Sequence, residues 1–189
     1  LKKDNQLIME ICDFGTRGLG GPLSAAKSFN KNQSIDFVNF VKNIGSHRDQ
    51  VNGAGTYGFG KSSLFKFSKC NTILIDSLTE YNKKLENRFI GYSLGSEYSS
   101  NGHKFTGRHW WGLKKKINDN NFSLDPVLDL EAQRIALNLG LTLRKTEEDK
   151  GTSLIILDPD LDDLKEFDFT TDKIPYLRNK LKLRFEEIL

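Results

Sequence analysis

Apolar positions along the chain change their spacing several times, and each change predicts an element. Leu7-Ile8-Met9-Glu10-Ile11-Cys12 is a nearly unbroken apolar run bounded by polar residues, which predicts a strand. From Ser34, a hydroxyl suited to an N-cap, apolar residues recur at Phe37, Val38, Phe40, Val41 and Ile44, the three-and-four spacing of a helix. Asn71 to Leu78 and Arg88 to Ser93 read as two strands joined by the polar turn Tyr81 to Asn87, a hairpin. Gly95 to Asn121 is polar, with one aromatic cluster, Phe105-Thr106-Gly107-Arg108-His109-Trp110-Trp111, and reads as a long loop.

The second half repeats the alternation of helix and strand. Asp129 is the expected cap of a helix whose Leu130, Ile135, Ala136 and Leu139 share a face, and Gly140 ends it. A short strand Leu141 to Leu143, a charged turn Lys145 to Lys150 and a strong strand Thr152 to Leu157 follow. Pro175 then opens a last amphipathic helix with Leu177, Leu181, Phe185 and Ile188 on one side.

Between the first helix and the hairpin lies Gly53-Ala54-Gly55-Thr56-Tyr57-Gly58-Phe59-Gly60-Lys61-Ser62-Ser63, with four glycines in eight residues at a loop-to-helix step. Glycine lets backbone N–H groups approach a ligand closely, and a helix N-terminus with unpaired N–H groups attracts phosphate. Lys61 adds a full charge there. The alternative is a flexible loop that binds nothing.

Two nucleotide-binding architectures compete for this loop. Gly55 to Ser62 matches the P-loop string G-x-x-x-x-G-K-[ST]. A P-loop follows directly on a buried strand, however, and Ser46-His47-Arg48-Asp49-Gln50-Val51-Asn52 is polar. Asp76 as the magnesium-binding acid lies only fourteen residues after Ser62, too few for a crossover helix with its loops, and Asp158 is the more comfortable candidate.

A second site signature stands at the end of the first strand, where Asp13-Phe14-Gly15-Thr16-Arg17-Gly18 places an acid before closely spaced glycines. A carboxylate there suits an amino-group donor, with glycines letting the backbone pass a flat ring. The competing reading is a turn that caps the strand. A protein-kinase assignment of Asp-Phe-Gly fails, since no His-Arg-Asp loop precedes it and no Ala-Pro-Glu follows.

Composition narrows the picture only slightly. With 189 residues and 37% hydrophobic content, the chain can bury the core of one domain. Its net charge is +3, from 28 cationic and 25 acidic side chains, which does not by itself indicate nucleic-acid binding. Cys12 and Cys70 lie in or beside apolar runs, as expected of reduced core thiols in a cytoplasmic protein. His103 and His109 have no ligand-spaced partner for zinc, and no apolar run is long enough to cross a membrane.

Taken in order, Asp13-x-Gly15-x-x-Gly18 after a strand, Gly53-x-Gly55-x-x-Gly58-x-Gly60-Lys61 before a helix, and Gly151-Thr152 opening a late strand form a pattern. It resembles the GHKL ATPase superfamily, the Bergerat-fold group of DNA gyrase, MutL mismatch-repair proteins, heat-shock chaperone ATPases, histidine kinases and MORC-like ATPases. The resemblance runs from about Leu7 to Leu157 and implies a two-layer α/β sandwich, a mixed sheet covered on one face by helices. It implies an ATP-binding domain over residues 1–160, with a lid at about 23–52, and a C-terminal helical extension over 161–189.

Carried onto this chain, the resemblance makes Asp13 the acceptor of the adenine amino group, with Gly15 and Gly18 shaping the base pocket. Thr152 stands beside that carboxylate, its hydroxyl holding Asp13 or a water. Gly53, Gly55, Gly58 and Gly60 wrap the phosphates of ATP and its Mg2+, and Lys61 and Ser62 meet the terminal ones. The family's first motif, a helix with an acid and an asparagine four residues later, has no counterpart, since Glu97 and Asn101 lie in a polar loop in the wrong place in the order. Either that helix lies upstream, which the leucine start favours, or nucleotide is bound without hydrolysis, so no catalytic base and no metal ligand are assigned. The expected activity is an ATP-driven conformational switch in a larger protein, working as a homodimer or with a partner domain. A P-loop NTPase and a non-catalytic interaction domain are the alternatives.

Overall fold

A computed structural model of the chain describes residues 7–24, 34–42, 59–116, 118 and 122–161. Gly53, Gly55, Gly58, most of the expected lid and the helix after Pro175 therefore lie outside the described residues.

The molecule is of mixed α and β structure, built on one sheet in the order β1 (Ile8–Cys12), β10 (Gly151–Leu157), β2 (Thr72–Tyr81), β3 (Lys84–Leu94) and β6 (Arg108–Trp111), with β9 (Val127–Leu128) also on β3. Every pairing among these strands is antiparallel, where a mixed sheet was expected. Antiparallel neighbours need no crossover helix, so β2 and β3 join through two residues, Asn82 and Lys83, both with positive φ (52° and 63°), as a tight hairpin turn of type I′ demands. The expected seven-residue turn is thus two residues long. Lys84 to Asn87, which look like turn residues in sequence, are the first residues of the second strand.

Side chains alternate across the sheet, and the two faces bury different partners. Ile73, Ile75, Ile90, Tyr92 and Ile156 face Phe37, Val41, Leu64, Phe65 and Phe67, contributed by the π-type helical turn Val38–Lys42 with its leading residue and by α1 (Phe59–Lys66) with the residue after it. Ile155 and Phe89 point the other way and meet Ala132 and Ala136 of α2 (Asp129–Asn138) and Leu141. Helices therefore lie on both faces, not on one. Of the expected face Ala136 and Ile135 make the contact of α2, together with Ala132, whereas Leu130 is 82% exposed and Leu139 is exposed too. Leu128, not Asp129, holds the N-cap position, and Asp129 Oδ1 instead accepts a hydrogen bond from Asn87 N at 3.3 Å.

Three other expectations change. Leu141 to Leu143 joins no strand pairing. Gly95 to Asn121 is not a plain loop but carries β4 (Tyr98–Ser100), β5 (His103–Phe105), β6 and β7 (Leu113–Lys116), with β7 pairing to β8 (Phe122–Asp125). Cys12 and Cys70 are exposed, because one ends the edge strand β1 and the other sits in the turn between α1 and β2.

Candidate functional site

The residues after β1 are held against the sheet by side chains from its two central strands. Leu19 N donates to Ser77 Oγ at 2.9 Å, Thr79 Oγ1 donates to the Arg17 carbonyl at 2.8 Å, and Arg88 donates to the Leu19 carbonyl at 2.8 Å. Ser77 and Thr79 continue the face begun by Ile73 and Ile75, so the inward side of β2 turns from apolar to hydroxyl-bearing where the loop crosses it. Arg88 is fully buried, with Phe37 and Tyr81 rings about its guanidinium and Glu86 Oε1 at 2.7 Å from Nε. Burial pulls its pKa below the usual arginine value, against the opposing pull of Glu86.

Two glycines make this packing possible. Gly18 has φ +63°, and a Cβ there would collide with the Leu78 carbonyl oxygen. Gly151 has φ +149°, and its Cβ would overlap both the carbonyl oxygen and Oδ1 of Asp13. The second contact is how β10 comes flush against the acid. Gly15 also has positive φ, +68°, but nothing lies within 4 Å of the place its Cβ would occupy.

Asp13 is fixed from two sides. Thr152 N donates to its Oδ1 at 3.1 Å and Thr16 Oγ1 donates to the same oxygen at 2.7 Å. Both bonds fall on Oδ1; among the described residues no donor engages Oδ2, which leaves one carboxylate oxygen for a ligand. The Thr152 hydroxyl, expected to hold Asp13, is used elsewhere. It lies 3.1 Å from Ser77 Oγ, whose single proton goes to the Gly151 carbonyl at 3.0 Å, so Thr152 is the donor of that pair.

Asp13 and Thr152 line a cavity of about 240 Å³ whose other walls are Ile11, Cys12, Leu19, Phe40 and Leu154. One carboxylate in an otherwise mainly apolar recess suits a flat ring with an exocyclic donor. Its volume falls below the roughly 300–1,000 Å³ of pockets that hold whole ligands, so it accommodates one ring-sized part of a larger molecule. A second cavity of about 390 Å³, near the β2–β3 turn, is lined by Arg17, Gly20, Gly21, Thr79, Tyr81 and Lys150, among others. Lys150 there is already paired with Glu147 at 2.5 Å and lies 4.0 Å from Glu80.

The structure thus brings Asp13, Gly18 and Thr152 together, with Gly15 in the same loop. Gly60, Lys61 and Ser62 form the first turn of α1 with Phe59, as the glycine-to-helix step predicted. The other end of that helix is anchored at the foot of β10, where Lys69 N donates to the Asp158 carbonyl at 2.9 Å and Asp160 N to that of Phe67 at 2.8 Å. Ser62 is not part of the Asp13 cavity's wall. Among the described residues no group of three His, Cys, Asp or Glu side chains could hold a metal ion. Glu97 pairs with Lys104 at 2.7 Å, and Asn101 sits in the β4–β5 turn with φ 49°.

Sequence reasoning missed Ser77, Leu19 and Phe40 as parts of the site, while Gly151 was named with Thr152. The signal for Ser77 was present, as a hydroxyl continuing the period-two face of Ile73 and Ile75. Comparison with protein-family models, with curated proteins and with solved structures finds no match.

Proposed function

We propose that the chain is an ATP-binding module of the Bergerat type, the adenine lodged in the cavity that Asp13 and Thr152 line. The observation that supports this most is the Asp13 carboxylate, held by two donors on Oδ1 and with no donor on Oδ2 among the described residues, in a recess walled by Ile11, Leu19, Phe40 and Leu154. Adenine presents an exocyclic amino donor on a flat apolar ring. Guanine presents a carbonyl oxygen at the corresponding position and would face a carboxylate with an acceptor. The phosphates would run toward the glycine segment ending at Gly60, with Lys61 and Ser62 of α1 at their terminal end. Mg2+ would be held chiefly by those phosphates and water, as is usual for this ion.

Asp13 is the one carboxylate among the described residues lining the cavity, and in this reading the base occupies it. Binding is therefore the activity these residues support, and hydrolysis requires an acid from beyond the described residues. The two-layer sandwich of the Bergerat fold is accommodated if α1 and the 38–42 turn make its helical layer, with α2 an addition on the opposite face. A P-loop assignment fits less well. Asp76 faces away from α1, beside Arg144 and Glu10, and Asp158 lies at the C-terminal end of that helix, where Lys69 N bonds its carbonyl, far from the Lys61–Ser62 turn.

Titration with a fluorescent ATP analogue, competed by ADP and by GDP, tests the reading. Asp13→Asn keeps an acceptor for Thr152 N but replaces the charged oxygen, which costs about 1.5–3 kcal/mol for a hydrogen bond to a charged group. ADP should compete and GDP should not. Unchanged affinity in a folded Asp13→Asn protein would remove the proposal.

A further inference from the structure

The segment from Tyr98 to Lys116 carries five lysines and arginines, two histidines and not one acid, although Glu97 just before it pairs with Lys104; of the chain's 28 cations and 25 acids, the other residues hold 23 and 25. It also exposes a set of aromatic rings. Tyr98 stacks on Phe105 (centroids 4.9 Å apart, planes at 13°) and on His109 (5.7 Å, 22°), a preformed column of three rings. Trp111 follows His109 by two residues along β6, hence on the same side of that strand, and is 54% exposed. It lies over Gly91 of β3, where a Cβ would come within 3.2 Å of the indole, so the glycine provides the floor on which this ring rests.

Its neighbour Trp110 has a different task. That ring stacks on buried Tyr92 at 5.1 Å and donates its Nε1 proton to the Val41 carbonyl at 3.1 Å, which anchors β6 to the core. Trp111 turns outward. Beyond Gly112 the chain continues into β7, where Lys114, Lys115 and Lys116 are all exposed. Gly112 is a bend, and three residues span at most about 11 Å, so Lys114 lies within that distance of Trp111.

We infer that this edge of the sheet is a binding surface for single-stranded nucleic acid, with bases extending the Phe105–Tyr98–His109 column and stacking on Trp111 while Lys114 to Lys116 neutralise phosphates. Ring faces offered in a row are of use only to bases that are not already stacked in a duplex. A membrane surface fits less well, because Leu113 is the only aliphatic side chain in the segment and insertion requires apolar bulk. The proposal does not depend on the nucleotide reading of the Asp13 cavity.

The test uses the full chain and a fluorescein-labelled 15-nucleotide oligo-dT, which offers no adenine to the other site, titrated at 50 and 200 mM salt. Binding should weaken steeply with salt. Trp111→Ala should lose about 5- to 150-fold, the range for one base stack, and Trp111→Phe should retain most of the affinity. Replacing Lys114, Lys115 and Lys116 together by Ala should lower the slope of log Kd against log salt by about 2, since each single-strand phosphate contact contributes roughly 0.7. Asp13→Asn should change nothing. The exposure of all four side chains leaves the fold intact in these variants, which a thermal melt verifies. The inference is overturned if oligo-dT fails to bind at 50 mM salt, if Trp111→Ala binds as the parent does, or if polyglutamate or phosphatidylserine vesicles bind equally well with the same dependence on Trp111.

Discussion

Asp13 and Thr152 bond to each other in both directions: Thr152 N donates to Asp13 Oδ1 at 3.1 Å, and Asp13 N donates to the Thr152 carbonyl at 3.0 Å. The pair carries the β1–β10 ladder one step past Cys12 and Ser153 and turns its last bond onto a side chain. The acid is therefore positioned by backbone, and its geometry does not depend on the identity of the residue at 152.

Thr152→Val follows from that geometry. The substitution leaves the bond from N to Asp13 and removes only the hydroxyl that donates to Ser77 Oγ, while Ser77 still bonds the Gly151 carbonyl and Leu19 N. The expected loss is about 0.5–1.5 kcal/mol of stability, the range for one neutral hydrogen bond. ATP and ADP affinities should move together, since both share the base end. A denaturant melt and calorimetry with the two nucleotides check this; a loss confined to ATP would misplace Thr152 at the phosphate end.

Gly151 and Gly15 make a contrasting pair. An alanine at 151 must push the Asp13 carboxylate and carbonyl aside and adopt an unfavourable φ, so Gly151→Ala should cost on the order of 1–3 kcal/mol of stability and most of the nucleotide affinity. Gly15→Ala meets no neighbouring atom and suffers only the left-handed backbone, about 1–2 kcal/mol. Comparable nucleotide affinities for the two folded variants would contradict the close approach of β10 to Asp13 as the determinant of the site.

Lys61, in the first turn of α1, separates the ends of the proposed ligand. If the base cavity anchors the nucleotide independently, Lys61→Ala should weaken ATP by about 1–3 kcal/mol, the range for a charge-assisted contact, and ADP by less. In a P-loop the same change would abolish both. Calorimetric titration of ATP and ADP distinguishes the cases, and equal losses would reverse the assignment of the two ends.

Much of this was legible in the chain itself. The strand before Asp13, the strand from Gly151 and the helix beginning near Lys61 all follow from local apolar spacing and glycine placement, which need no tertiary information. The errors share a cause. Asn87 reads as polar turn but is buried, because its side-chain amide donates to the Arg144 carbonyl; Leu130 reads as core but is exposed, because α2 approaches through Ala132, Ala136 and Ile135. Likewise the Thr152 hydroxyl was assigned to Asp13 when Ser77, across the sheet, was the nearer partner. Each depends on what a distant segment presents, and spacing along the chain carries no record of that.

Asp76 supplies a pH dependence with a definite sign. It is 2% exposed on the α2 side of the sheet, and burial raises its pKa from 3.8 to about 6, against the attraction of Arg144 and with added repulsion from Glu10. Arg144 itself is engaged by the Asp149 carbonyl at 2.8 Å and Ser153 Oγ at 3.0 Å, and among the described residues no donor reaches Asp76 Oδ1. A carboxyl whose folded pKa is raised binds its proton more tightly folded than unfolded. Its contribution to stability is full below the unfolded value near 3.8, declines as pH rises toward 6, and has become a penalty of about 2–3 kcal/mol above that. Asp76→Asn cannot ionise and should therefore be more stable than the parent at pH 7.5, by about 1–3 kcal/mol, with the advantage shrinking as pH falls from 6 to 4. Urea unfolding of both proteins across that range gives the difference directly. A variant less stable than the parent at pH 7.5 would mean that the ionised carboxylate is held by Arg144 strongly enough to outweigh its burial.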